Sequence, residues 1–176
     1  SSHEESLISL SIEYCVFEPN ENDVPRIVEL LARTNRQNVM LERPGEIEVK
    51  SYMKDSDRVI RCLRAKDRFG EYGLIGVCMF NEIDTEKGES SCFFSHLSLS
   101  CRLMGKDVEL TFLSEALEEV AKQEGSNRVV AKIDGVITSK NRPFLRKIQE
   151  SAHLNDYREK TDSEFSAEFV KEGVEI

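Results

Sequence analysis

The 176-residue sequence predicts an α/β fold, a mixed, mostly antiparallel, twisted sheet with helices on both of its faces. Three observations predict it. Six short runs alternate apolar and polar residues in the manner of strands, four longer stretches carry apolar residues at helical spacing, and the joints between runs are of two kinds. Strands joined by tight polar turns pair antiparallel, whereas strand–helix–strand crossovers give parallel neighbours. Amphipathic helices must bury their stripes against that sheet, which covers both faces.

"LSIEYCVFEP" (10–19) is rich in β-branched and aromatic residues and stops at Pro19, as a first strand does. "ENDVPRIVELLARTN" starts with Asn22 or Asp23 as cap, sets Pro25 in its first turn, and lines up Val24, Ile27, Leu30 and Leu31 as a helical stripe. "RPGEIEVKSYMKD" (43–55) is a shorter amphipathic helix with a stripe of Ile47, Val49 and Met53. Strands follow at 57–67 and 74–83, separated by the glycine-containing turn "RFGEYG", and a third at 91–100 after the polar loop "TEKGES". From Asp107 the pattern changes to Val108, Phe112, Leu113, Ala116, Leu117 and Val120, a helical face closed by Gly125 as C-cap. "NRVVAKID" (127–134) is a short strand, "SKNRPFLRKIQESAHL" a loop and last helix with Pro143 at its start, and "EFSAEFV" (164–170) a final strand. No internal repeat, low-complexity tract or linker interrupts residues 1–176, so a single domain is expected; residues 1–9 are read as a disordered end or a remnant of expression.

Composition narrows the function. Lys and Arg total 24 against 33 Asp and Glu, a formal charge of -9, which argues against nucleic acid and anionic membrane as partners because phosphates need a basic face. The longest apolar run, around Leu74–Phe80, is about eight residues, against the roughly 20 that span a bilayer. "SSHEES" has no signal-peptide core. The five cysteines show neither CxxC nor His-paired metal spacing, so no metal is expected; Cys15, Cys62, Cys78 and Cys92 fall in strand-like runs as reduced buried thiols, and a cytoplasmic, disulfide-free protein is the expectation.

The segment with chemistry in it is "SCRLMGKDVE" (100–109), where a strand runs into a helix. A helix start leaves backbone N–H groups without partners and carries a partial positive charge. Gly105 permits close approach of a ligand, and Arg102 and Lys106 add cations. These features make either a pyrophosphate cradle or an ordinary capped corner with two solvated cations.

The stretch also resembles a known motif. A strand, then [Q/R]-x-x-G-x-[G/A], then a long helix is the coenzyme A pyrophosphate loop of the GNAT acyltransferase superfamily, and it falls here on Arg102, Leu103, Met104, Gly105, Lys106 and Asp107. "RTNRQN" (33–38), "LRAKDRFGEYGLIGV" (63–77) and "LSLSCRLMGKDVE" (97–109) are more narrowly similar to the C-terminal, GNAT-like domain of FkbH-like proteins, a likeness running from about residue 10 to 154. What that resemblance implies is a GNAT-like fold and acyl transfer to or from a CoA or phosphopantetheine thiol, including glyceryl loading of an acyl carrier protein. Such proteins also carry an N-terminal haloacid-dehalogenase-like domain, so this sequence is expected to be either an excised C-terminal domain or a free-standing relative. The sequence departs from the pattern in places. Asp107 replaces the usual Gly or Ala, and Ser95–His96 stand where an acidic residue and Thr are usual. Lys147–Ile148 occupy the position of a "FY" pair whose Tyr protonates the leaving thiolate, and "SAH" (151–153) replaces "LGF". Two alternatives therefore stand beside the enzyme: a non-catalytic carrier-protein docking module, and a small-molecule N-acetyltransferase using acetyl-CoA.

Individual residues carry paired expectations. Cys101 matches the "SCR" cysteine of the resemblance; it is either an acyl-accepting nucleophile, activated by Arg102 and the helix start, or a small residue at a strand end. His96 is a second catalytic candidate, although in a regular strand positions 96 and 101 face opposite sides. His153 is either an acid–base group or a surface histidine. Asn35 and Asn38 in "TNRQN" either bind substrate or cap a helix. Asp67 and Arg68 read as an ion pair fixing a turn. Lys140, Asn141 and Arg142 either meet the phosphates of the cofactor, Asn141 included, or form a solvated helix start.

Overall fold

A computed structural model describes residues 12–100 and 108–175. Seven strands form one sheet in the order β1-β2-β3-β4-β5-β7-β6. They are β1 (Glu13–Phe17), β2 (Val59–Asp67), β3 (Gly70–Glu86), β4 (Glu89–Leu99), β5 (Arg128–Val136), β6 (Leu154–Glu159) and β7 (Glu164–Lys171). Every junction is antiparallel except β4 with β5, the pair joined by a helical crossover.

Among the described residues four α-helices cover the two faces: α1 (Val24–Arg33), α2 (Glu46–Lys54), α3 (Val108–Glu124) and α4 (Arg142–Glu150). A 3-10 turn, Glu21–Asp23, capped by Asn20, leads into α1, whose N-cap position is Asp23 as expected, though without a side-chain cap bond of its own. The Asn20 side chain accepts from the Asn22 amide while Asp23 reaches back to the Asn20 amide, a reciprocal capping box. The C-terminal carbonyls of α1 are capped by Arg43, whose guanidinium donates to Leu31, Ala32 and Thr34.

In α2 the buried positions are Val49 and Tyr52, whereas Ile47 is 88 % exposed. The expected stripe erred by one residue because Tyr52, polar at its tip, supplies the apolar contact. The α3 end behaves as the sequence indicates: Gly125 has φ +68°, and the Ser126 and Gly125 amides bond back to Ala121 and Lys122.

Two apolar clusters sandwich the sheet. Phe112, Leu113 and Leu117 of α3 and Phe144, Leu145 and Ile148 of α4 pack with Phe94, Leu97 and Leu99 of β4. On the other face Ile27, Leu30 and Leu31 of α1 and Val49 and Tyr52 of α2 pack with Ile60, Val77 and Met79. Cys62, Cys78 and Cys92 are buried thiols, and Cys15 on edge strand β1 is exposed, contrary to its expected burial. At the β2–β3 turn Asp67 is a turn cap, accepting from the Phe69 amide and the Tyr72 hydroxyl, while Arg68 lies over the Phe69 ring.

Candidate functional site

The parallel pair β4–β5 is zipped for only part of its length. Its register runs from Glu89–Arg128 to Phe93–Lys132 and stops there, yet β4 continues to Leu99 and β5 to Val136. Beyond Phe93 the two strands diverge, β4 staying with β3 and β5 with β7. A register shift beside Ser95, between Phe94 and His96, marks a bulge at the point of divergence.

A cleft of about 770 Å³ opens at this divergence. Leu99 and Ser100 from the end of β4 and Ser139, Lys140 and Pro143 from the β5–α4 connection line it on two sides. The end of α1 and the chain after it supply the third wall, with Arg26, Arg33, Asn35 and Arg36.

The walls are braced from within. Ser98 donates to the Leu30 carbonyl at 3.0 Å and bonds to Thr34, tying the end of β4 to the end of α1. Asn141 is fully buried; its amide nitrogen donates to Asn38 and Val136 carbonyls at 3.0 and 2.7 Å, and its oxygen accepts from the Thr138 amide at 2.8 Å. The Val136 amide donates to Val39 at 2.7 Å, so the chain after α1 takes up β5 backbone where β4 has left it. This approach needs Gly135, where a Cβ would lie 2.7 Å from the Val39 oxygen.

The expected site residues are distributed unevenly over this frame. Cys101, Arg102, Leu103, Met104, Gly105, Lys106 and Asp107 lie outside the described residues, between the Ser100 wall of the cleft and the start of α3. Asn35 lines the cleft, exposed, its carboxamide oxygen held by Arg43 at 2.6 Å. Asn38 turns inward on its own loop, accepting from the Leu41 amide and donating to Glu42. Asn141 commits its whole carboxamide to the protein and braces the wall, which leaves it no donor for a phosphate. Of the other two residues of the expected basic patch, Lys140 lines the cleft and Arg142 is paired with Glu159. His153 lies against Phe169 with the rings tilted, level with Ala131 in the zipped half and away from the cleft.

His96 follows the bulge. Leu97 belongs to the α3-side cluster, so strand alternation sets His96 with Ser98 on the α1–α2 face. Ser95, beside it, accepts from the Tyr52 hydroxyl of α2 at 3.2 Å. The His96 ring is 5 % exposed and neither nitrogen has a hydrogen-bond partner. Burial lowers its pKa to about 4, so the imidazole is neutral at pH 7. The bulge precedes His96 and leaves its facing relative to later β4 positions unchanged. The strand thiols are poor nucleophiles by comparison: burial pushes Cys92 up to about 12 and Cys62 and Cys78 also upward.

The position expected to supply an acid to the leaving thiolate holds none. Ile148 is fully buried in the α3–α4 core, and Lys147 is paired with the buried Glu109 of α3. Sequence reasoning missed the cations of α1; Arg26 and Arg33 are seven apart, two helical turns, and so share a face.

No protein-family model matches the sequence, and no curated protein matches it. Solved structures do. A domain from Methanocaldococcus jannaschii superposes with a TM-score of 0.62 at 15% identity, covering 92% of this chain and 100% of that one. A putative acetyltransferase of the GNAT family from Desulfovibrio desulfuricans gives 0.59 at 10% identity, with 92% and 99% covered. The fold is the GNAT fold. Spermidine N-acetyltransferase from Vibrio cholerae, solved with CoA and spermine, gives 0.57 at 13% identity, with 91% and 95% covered. At these identities the likeness is one of architecture, and it includes the mostly antiparallel sheet and flanking helices expected from the sequence.

Proposed function

We propose that this protein is an acyltransferase whose acyl donor is a thioester of coenzyme A or of a phosphopantetheine arm, held in the wedge between β4 and β5. The carrying observation is the ladder that stops at Phe93–Lys132 while both strands run on. A pantetheine arm is narrow and bears amide groups, so it can pair with strand backbone as an extended peptide would. Its phosphates are assigned to the segment 102–107, which lies outside the described residues and whose sequence supplies Arg102 and Lys106 as cations just ahead of α3. The Vibrio cholerae relative in fold, solved with CoA, supports a CoA-type donor.

A bound thioester supplies an electrophilic carbonyl carbon. Transfer forms one bond from the acceptor's nitrogen, oxygen or sulfur to that carbon and breaks the carbon–sulfur bond. The acceptor's proton needs a base and the departing thiolate needs a proton. We assign both transfers to His96, beside the bulge where β4 parts from β5; its ring is buried and not part of the cleft lining, so it meets the reacting atoms only where the arm enters between the parted strands. One residue filling both roles accounts for the absence of an acid at Lys147–Ile148. Within this reading, the likeness to FkbH-like proteins makes glyceryl a candidate acyl group, with an acyl carrier protein and a haloacid-dehalogenase-like domain as partners.

The test is isothermal titration with CoA and with 4′-phosphopantetheine, followed by thiol release from acetyl-CoA in His96→Ala. Saturable binding is expected, with turnover falling on the order of 100-fold or more and CoA affinity unchanged. Absence of heat with either ligand overturns the reading. The occupied Lys147 and buried Ile148 also favour a second reading, a non-catalytic docking module; binding without thiol release from any acyl donor selects it.

A further inference from the structure

We infer that the α1 and β5–α4 walls of the cleft are built for a negatively charged group, so that the acceptor substrate bears a carboxylate or phosphate and is not a polyamine. The inference rests on the acyltransferase reading for the word acceptor, but the anion site stands on its own observations.

Among the described residues, the lining holds four cations, Arg26, Arg33, Arg36 and Lys140, and no Asp or Glu. In a chain with 33 acidic and 24 basic residues that is a strong local reversal of sign. Arg26 and Arg33 share a single carboxylate, Glu29, at 3.2 and 3.0 Å, leaving a surplus positive charge on that wall. Arg26 is also fixed by donating to the Leu74 carbonyl at 3.2 Å. Among the described residues neither Arg36 nor Lys140 makes an ion pair, and the two stand on opposite walls, one after α1 and one before α4. Asn35 extends the pattern. Its oxygen accepts from Arg43, so the carboxamide flip is fixed and its NH₂ group remains to donate beside Arg36. The charged lining is therefore all donors, with Ser100 and Ser139 on the two facing walls.

The acyltransferase reading already gives the donor's diphosphate to Arg102 and Lys106, which precede α3 in sequence, and α3 packs on the sheet face opposite α1, which carries Arg26 and Arg33. A cation such as spermine would meet repulsion here, since the one carboxylate on that wall, Glu29, is shared by two arginines and does not line the cleft.

The experiment titrates the full chain with succinate, inorganic phosphate, the neutral isostere succinamide, and spermine, each with and without saturating CoA. Succinate or phosphate is expected to bind roughly tenfold or more tightly than succinamide, the stronger of the two naming the anion, and spermine not to bind. Arg36→Gln and Lys140→Gln, both at exposed positions, are each expected to weaken the anion by roughly tenfold without altering the unfolding midpoint. Equal binding of succinamide, or preference for spermine, overturns the inference. So does displacement of the anion by CoA, which would assign the cations to the donor's phosphates. Anion binding in a chain that fails to bind CoA upholds the site while removing the acyltransferase reading.

Discussion

The zipped and open halves of β4–β5 are held together by different means. From Glu89–Arg128 to Phe93–Lys132 the strands are joined by backbone ladder bonds, which any side chains can form. Side-chain links across that half include Arg128 with Glu89 and the Lys132 ammonium over the Phe93 ring, with a Ser90–Ser126 hydroxyl contact just before β5. Beyond Phe93 the backbone bonds are gone, and position is fixed instead by Asn141, by Val39 against Gly135 and Val136, and by Ser98 and Thr34 on Leu30. A ladder tolerates substitution; a set of individual braces does not. The open half is thus where sequence specifies geometry, and it is also the half with a cleft.

The comparison breaks most easily at Asn141. Asn141→Ala strands the Thr138 amide and the Asn38 and Val136 carbonyls in a buried site, which costs about 4 kcal/mol at 1–3 kcal/mol for each group left without a partner. A fall in denaturation midpoint at constant slope is the expected result.

Next comes His96. Its folded-state pKa of about 4 lies below the 6.5 of a free imidazole, so between these values the unfolded chain binds a proton that the folded one refuses. Its contribution to stability is present above pH 6.5 and is lost as pH falls toward 4, by about 3 kcal/mol over that window. His96→Leu removes this slope, as stability curves at pH 7 and pH 4.5 would show.

Gly135→Ala drives a methyl group against Val39 and Phe165, with closest approaches of 2.7 and 2.9 Å. Overpacking of this kind costs about 2 kcal/mol and displaces the wall that Val39 forms, so CoA affinity should fall with stability. The smallest effect belongs to the zipped half: Arg128→Ala, at a part-exposed pair, changes stability by less than about 1 kcal/mol and leaves ligand binding alone.

How far the sequence carries to this picture depends on whether a feature is periodic or particular. The four helices and six of the strands follow from apolar spacing, because burial against a sheet imposes that spacing directly. Strand β6 escaped: Leu154 and Tyr157 are its half-buried residues, Asp156 has φ +57°, and a register shift between Asn155 and Arg158 breaks the alternation. The open end of β4–β5 could not be read either, since nothing in "SHLSLS" states that its parallel partner has departed. Asn141 and Asn38 were legible as polar residues near the site, but their partners are distant in sequence, so bracing and ligand binding look alike. Arg26 and Arg33 look like an ordinary solvated helix face, and Arg36 like a loop cation, until Lys140 is brought opposite them.

The central claim, that a thioester arm lies in the open half of β4–β5, is tested most directly by mapping amide chemical-shift changes on addition of CoA to the isotopically labelled protein. Saturable shifts in Phe94–Ser100 and in Ile133–Asn141, with Glu89–Phe93 and Arg128–Lys132 unmoved, are the predicted result. Shifts confined to other surfaces, or none at millimolar CoA, would contradict it.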